Sequence, residues 1–327
     1  MIKVFKVYIN GEKMQLIVVI FLGAVLGFVY GSYTDGFIFS TAICLFAGLA
    51  LIMPSLFKFE LGDIRLVWEH KIVLLKGFVI NYLVLPIFAV GIGLATQNFG
   101  IAAGLFLISV LSGGGMVMHW IKKTNADTSL GFLLLFINLL FISFSLLLLH
   151  IFATYSAGYF GTGYDEEISI ERFASAVIEL LIVIPFLASR LVRYIKPLLA
   201  WIETYRNVIS QVSIFIILFY LFGLQNSQLL VEVYDFEPEL FLVAFVAVAV
   251  FYLLTWGVSS FVYDLNSAQQ RAAFWHSVTR YLTLALVIST FSMGTFGVSM
   301  LLPIMFGYVV QIPLSVYIDK KQLKLLP

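Results

Sequence analysis

Long apolar runs separated by short polar segments pattern the whole chain. A helix needs about 20 apolar residues to cross the hydrocarbon of a bilayer. Ten runs fit that length, at roughly residues 14–30, 37–57, 72–96, 99–121, 130–153, 172–194, 207–225, 239–263, 272–291 and 295–318. The pattern predicts an all-α polytopic membrane protein with ten transmembrane helices. The first run follows Lys3, Lys6 and Lys13 and resembles a signal peptide in outline, but it is longer than a usual signal core and reads as the first span.

The charges give the direction of each span. Short cytoplasmic loops carry an excess of Lys and Arg. Sixteen of the 19 fall on one side: at the N-terminus, after the second span (Lys58, Arg65, Lys71), after the fourth (Lys122, Lys123), after the sixth (Arg190, Arg193, Lys196, Arg206), after the eighth (Arg271) and in the tail. On the other side only Arg172 appears, at a span edge. Both termini are therefore expected in the cytoplasm. The longest outer loop, 154–171, carries Asp165, Glu166 and Glu167 and divides the chain into 1–153 and 172–327, five spans each. An odd number of spans reverses direction, so the halves are expected to be inverted repeats, an arrangement that puts a site near the bilayer midplane.

Composition narrows the function. The chain is 61% hydrophobic and 11% charged, against about 25% charged in a soluble domain. A net charge of +1 gives no reason to expect nucleic acid as a partner; the bilayer is the expected surrounding. Cys44 is the single cysteine and makes an intrachain disulfide impossible. No zinc-binding His-Glu-x-x-His, no Gly-x-Ser-x-Gly elbow and no phosphate loop occurs, and no span holds two carboxylates. An enzyme, a metal site and a cofactor are not expected.

Polar residues inside the runs mark candidate chemistry. The fourth run contains Ser112-Gly113-Gly114-Gly115 and then His119-Trp120. Three glycines weaken a helix by about 1 kcal/mol each relative to alanine. They serve either close helix packing or a broken helix that lines a site. The ninth run contains His276 and Arg280, four apart and so on one face of a helix. An arginine inside a span costs roughly 2.5–3.5 kcal/mol on insertion scales and normally faces a cavity or a partner. No glycine or proline marks a break beside it. Asn81, Asn138, Glu179 and Gln311 are the other polar residues within runs, and Glu179 is a possible structural partner for Arg280. Lys76 is expected to snorkel to the cytoplasmic interface, and His119 belongs either to the site or to that interface.

Several stretches together resemble the bile acid/sodium symporter superfamily, most closely its arsenite efflux permeases. They are Asn81–Pro86 with Gly93-Leu94-Ala95, Gly115-Met116-Val117 with Trp120 and Asn125-Ala126-Asp127, Ile209–Ser213, and Gly307–Leu314, which is similar to the closing Gly-x-x-x-Glu-Val-Pro signature. The resemblance implies a panel of spans 1, 2, 6 and 7 and a core of spans 3–5 and 8–10, with spans 4 and 9 unwound and crossing at the binding site. The chain departs from it at three places. Gly113 stands where the permeases carry a cysteine, Gln311 stands for the carboxylate of the signature, and His276, Arg280 and Tyr281 stand near the Glu and Gln-Asn pair of the sodium-coupled branch.

The resulting expectation is a secondary carrier of a small organic anion in a bacterial plasma membrane. Arg280 is expected to bind the anionic group, with His276 and His119 as proton-linked or hydrogen-bonding partners. Thr279, Tyr281, the glycines 113–115, Asn81, Asn138 and Gln311 complete the expected site. A proton or sodium is the candidate coupling ion. A metalloid permease without the usual thiolate, and a non-transporting receptor on a carrier fold, are the alternatives.

Overall fold

The computed structural model describes residues 18–19, 21–34, 36–37, 49–50, 53, 57, 66–114, 116–162, 183–224 and 238–323. Cys44, Glu179 and Gly115, most of the second and sixth expected spans, and residues 163–171 of the outer loop lie outside the described residues. Among the described residues the secondary structure is helical and no strand is formed. The helices are α1 (Phe21–Tyr33), α2 (Lys71–Ala95), α3 (Phe99–Val110), α4 (Val117–Lys123), α5 (Thr128–Leu140), α6 (Ile142–Ser156), α7 (Ile184–Tyr194), α8 (Lys196–Leu224), α9 (Pro238–Val262), α10 (Ala268–Val278), α11 (Leu282–Phe296) and α12 (Leu301–Ile318).

Four helices among the described residues are long and apolar enough to cross a membrane: α2, α6 with its 3-10 extension to Phe160, α9 and α12. A fifth crosses if the two arms of α8, bent by 65°, count as one span. The fourth and ninth apolar runs do not form single helices. Each is split, into α3 and α4 and into α10 and α11.

Every residue of α3 is buried, so this helix is the axis of the core. It packs against α2, α6, α11 and α12. The outward faces stay apolar, with Leu83 and Ile87 on α2, Leu147 and Ile151 on α6, and Leu242, Val246 and Leu253 on α9 exposed. Such faces are suited to lipid, since the helices bond their own backbone groups internally.

Local chemistry shifts the helix ends from the limits of the apolar runs. Asp127 accepts from the Leu130 amide at 2.9 Å and Ser267 accepts from the Gln270 amide, so α5 begins at Thr128 and α10 at Ala268. Gly297, at φ +78°, delays α12 to Leu301. Inside α2 a π turn spans Ile80–Val84, and Asn81 Nδ2 donates to Gly77 O at 2.8 Å within it. A π turn adds a residue to the helical turn and re-aims a side chain. Here it holds Asn81 toward the core, where only 4% of the residue is exposed. Lys76 bonds Val262 O at 3.2 Å and Gln270 Oε1 at 3.0 Å. Its charge thus rests on the C-terminus of α9 and is satisfied within the protein, where the sequence led us to expect snorkelling.

Candidate functional site

The two helix breaks meet and run antiparallel. Ser112, after α3, pairs with Arg280, after α10, in an isolated β-bridge. The Tyr281 amide donates to Leu111 O at 3.0 Å, and the Gly113 amide donates to Thr279 O at 2.8 Å and to His276 O at 3.0 Å. The glycines explain why the first break closes so tightly. Gly113 has φ +59°, and a Cβ placed there would overlap the His276 imidazole. A Cβ on Gly114 would lie 3.2 Å from Arg280 O and 3.3 Å from Tyr281 Cα. Of the two uses open to these glycines, the broken helix is the one realised at 113 and 114.

The second break has a different cause. Thr279 closes α10 by bonding Trp275 O with both its amide (2.9 Å) and its hydroxyl (2.5 Å). The next residues are extended and take the partners just described. This corrects the expectation that His276 and Arg280 share a helical face. His276 is on α10, whereas Arg280 follows the helix end at Val278, so its side chain leaves from extended backbone.

Arg280 is 1% exposed and points into a cage of oxygens. Nε donates to Ile108 O at 2.9 Å, Nη1 donates to Asn81 Oδ1 at 2.5 Å and to Ser277 O at 3.0 Å, and Nη2 donates to Ser109 O. Ile108 and Ser109 lie in the last turn of α3, and Ser277 in the last turn of α10. The last carbonyls of a helix lack intrahelical donors and carry the negative end of its dipole. One guanidinium therefore caps two broken helices, and the dipoles offset the cost of burying it. Among the described residues no carboxylate forms an ion pair with it; Lys123 and Asp319 pair instead with each other, at 2.5 Å.

The other expected residues divide into two groups. Gln311 Oε1 accepts from the Arg280 amide at 2.6 Å and from Tyr252 Oη at 2.8 Å, tying the second break to α12 and α9. His276 Nε2 lies 2.9 Å from Gly131 O, and that carbonyl accepts only if Nε2 carries the proton. Nδ1 is then the acceptor for Asn138 Nδ2 at 3.4 Å. So Asn81, Asn138, Gln311, Gly113 and Gly114 all converge on the crossing. His119 does not line its cavity; it is exposed on α4, edge-on to Trp120 with ring centres 5.1 Å apart.

A small pocket opens beside the crossing; the roughly 310 Å³ of empty space there includes open solvent at its mouth. Gly114, Met116, Thr279, Arg280, Tyr281, Leu282, Thr283, Tyr308 and Gln311 line it. Sequence reasoning missed Thr283 and Tyr308, whose hydroxyls are 3.0 Å apart, and also Tyr252. All three sit in apolar helices, where a Tyr or Thr gives no periodic signal.

The model of the sodium bile acid symporter family matches residues 43–231, more than half of the chain. The chain belongs to this family. It is thus an integral membrane protein and a membrane transporter, in keeping with its apolar helices. The matched residues include the first break and end before the second, at 279–281, so Arg280 lies beyond them. No curated protein matches the chain.

Proposed function

We propose that this transporter is a secondary carrier of a small organic anion, bound in the cavity at the crossing. The observation that supports it most is the buried positive charge of Arg280 beside that cavity, balanced by helix dipoles and by no carboxylate among the described residues. Four of its donors are already engaged, so Arg280 acts on the solute through its field. Direct contacts fall to the hydroxyls of Thr283 and Tyr308 and to the start of α11, where Leu282 and Thr283 line the cavity. Gly114, Thr279, Tyr281 and Gln311 shape the walls; His276 and Asn138 hold α10 against α5 behind them. Gly113 disfavours the metalloid alternative, because a thiol there meets the His276 ring.

The experiment is flux into proteoliposomes, preceded by a screen for anions that raise the melting temperature. The reading predicts saturable uptake of at least one small carboxylate or sulfonate; a chain that moves and binds none of them is not an anion carrier. Tyr308→Phe removes the partner of Thr283 and is expected to weaken that anion's binding about 5- to 10-fold, the worth of one neutral hydrogen bond. An unchanged dissociation constant in calorimetry would remove Tyr308 from the site.

The same proposal places the chain in a bacterial plasma membrane as ten spans in two inverted repeats, 1–153 and 172–327, joined by the external segment 154–171. Spans 1, 2, 6 and 7 form the panel, and spans 3–5 and 8–10 the core. The support is that the two split helices are the expected fourth of each half and that they meet antiparallel. Cysteines introduced at Asp35, Tyr159 and Glu232 should label from outside, and those at Glu60, Asn125 and Glu203 only after permeabilisation. The reverse pattern at any pair defeats the inverted arrangement.

A further inference from the structure

We infer that the four oxygens around the Arg280 guanidinium form a monovalent-cation site whose permanent occupant is tethered to the chain. The donor set carries the inference. Ile108 O, Ser109 O and Ser277 O come from the C-terminal ends of two broken helices, and Asn81 Oδ1 comes from the π turn of α2. Neutral carbonyl oxygens at the ends of interrupted helices are what carriers use to hold free sodium or protons. Here every one of the four already accepts from the guanidinium, and the residue is 1% exposed. A free cation finds no room beside the guanidinium, and the fixed charge repels it. The residues present therefore do not fit sodium at this place. The site is made by three segments far apart in sequence that face one side chain, so the cage is a property of the fold and outlasts the side chain that fills it. Removal of that side chain leaves a cavity of guanidinium size lined by oxygens.

This deepens the carrier reading above but is tested on stability, so a protein idle in a flux assay leaves it standing, and a failed cation response leaves the flux reading standing. The full chain in detergent is compared as wild type, Arg280→Ala, Arg280→Lys and Arg280→Met. Each is melted in choline, sodium and millimolar guanidinium chloride at constant ionic strength. The wild type should melt at one temperature in choline and sodium. Arg280→Ala should melt lower in choline and gain about 2 °C from guanidinium at ten times its dissociation constant, with a smaller saturable gain from sodium. If Arg280→Ala yields no folded protein, the other two variants decide: Arg280→Lys, which keeps a tethered cation, should melt above Arg280→Met. An alanine variant that responds to neither guanidinium nor sodium overturns the inference. So does a wild type stabilised saturably by sodium, or a methionine variant at least as stable as the lysine variant.

Discussion

Arg280→Met lowers the stability of the full chain by about 3 kcal/mol or more, the cost of leaving several buried acceptors without a donor. The substitution keeps an unbranched apolar stem but not the guanidinium. What it removes are the donors to Ile108 O, Ser109 O, Ser277 O and Asn81 Oδ1. Each stranded acceptor costs roughly 1–3 kcal/mol when water is kept out. The costs do not add in full, because acceptors that share one side chain in a single network are coupled. Urea titration of the wild type and the variant in the same detergent measures the difference. A loss below about 1 kcal/mol would mean that the two helix ends do not depend on the guanidinium. From the sequence, Arg280 was either the counter-ion of a solute or a structural partner of Glu179; the hydrogen bonds shift the expected effect of its removal to the fold itself.

The second large effect is expected at Gly113. Gly113→Cys introduces the thiol that a metalloid permease would need at this place, and it is expected to cost about 3 kcal/mol or more. Left-handed backbone costs an L residue roughly 1–2 kcal/mol, and overpacking adds about 1–3 kcal/mol. The new Cβ meets His276 Nδ1, Cε1 and Cγ. The ring must rotate, and its contacts to Gly131 O and Asn138 go with it. Gly114→Ala is the comparison. Its Cβ contacts begin at 3.2 Å, so a small shift accommodates it. Melting curves should therefore rank Gly114→Ala well above Gly113→Cys. If the two variants melt together, or if Gly113→Cys matches the wild type, the antiparallel crossing is wrong. The cysteine variant should also confer no arsenite efflux, since its thiol is packed against an imidazole.

Much of this site could be read from residue types. A triple glycine in an apolar run signals a backbone that breaks or is approached closely, and the structure uses Gly113 and Gly114 for both. A lone arginine in a span demands partners, and Asn81 and Gln311, singled out as polar residues in apolar runs, both bond to Arg280. The break of the ninth run was not legible. It is made by a threonine that closes its own helix and by an extended segment whose partners, Leu111 and Gly113, stand about 170 residues earlier. Nothing local distinguishes Thr279 from a threonine in an ordinary helix.

The apolar runs and the loop charges alone determined that this chain lives in a membrane, because burial of helices in hydrocarbon depends on composition summed over about 20 residues. The short signature stretches determined the family, which the match over residues 43–231 establishes. Only the tertiary structure decided what Arg280 does. Three of the four groups that hold its side chain are main-chain carbonyls, at Ile108, Ser109 and Ser277. Every residue owns a carbonyl, so no letter of the sequence marks the ones left free by a broken helix, and their use appears only when the two breaks are brought together.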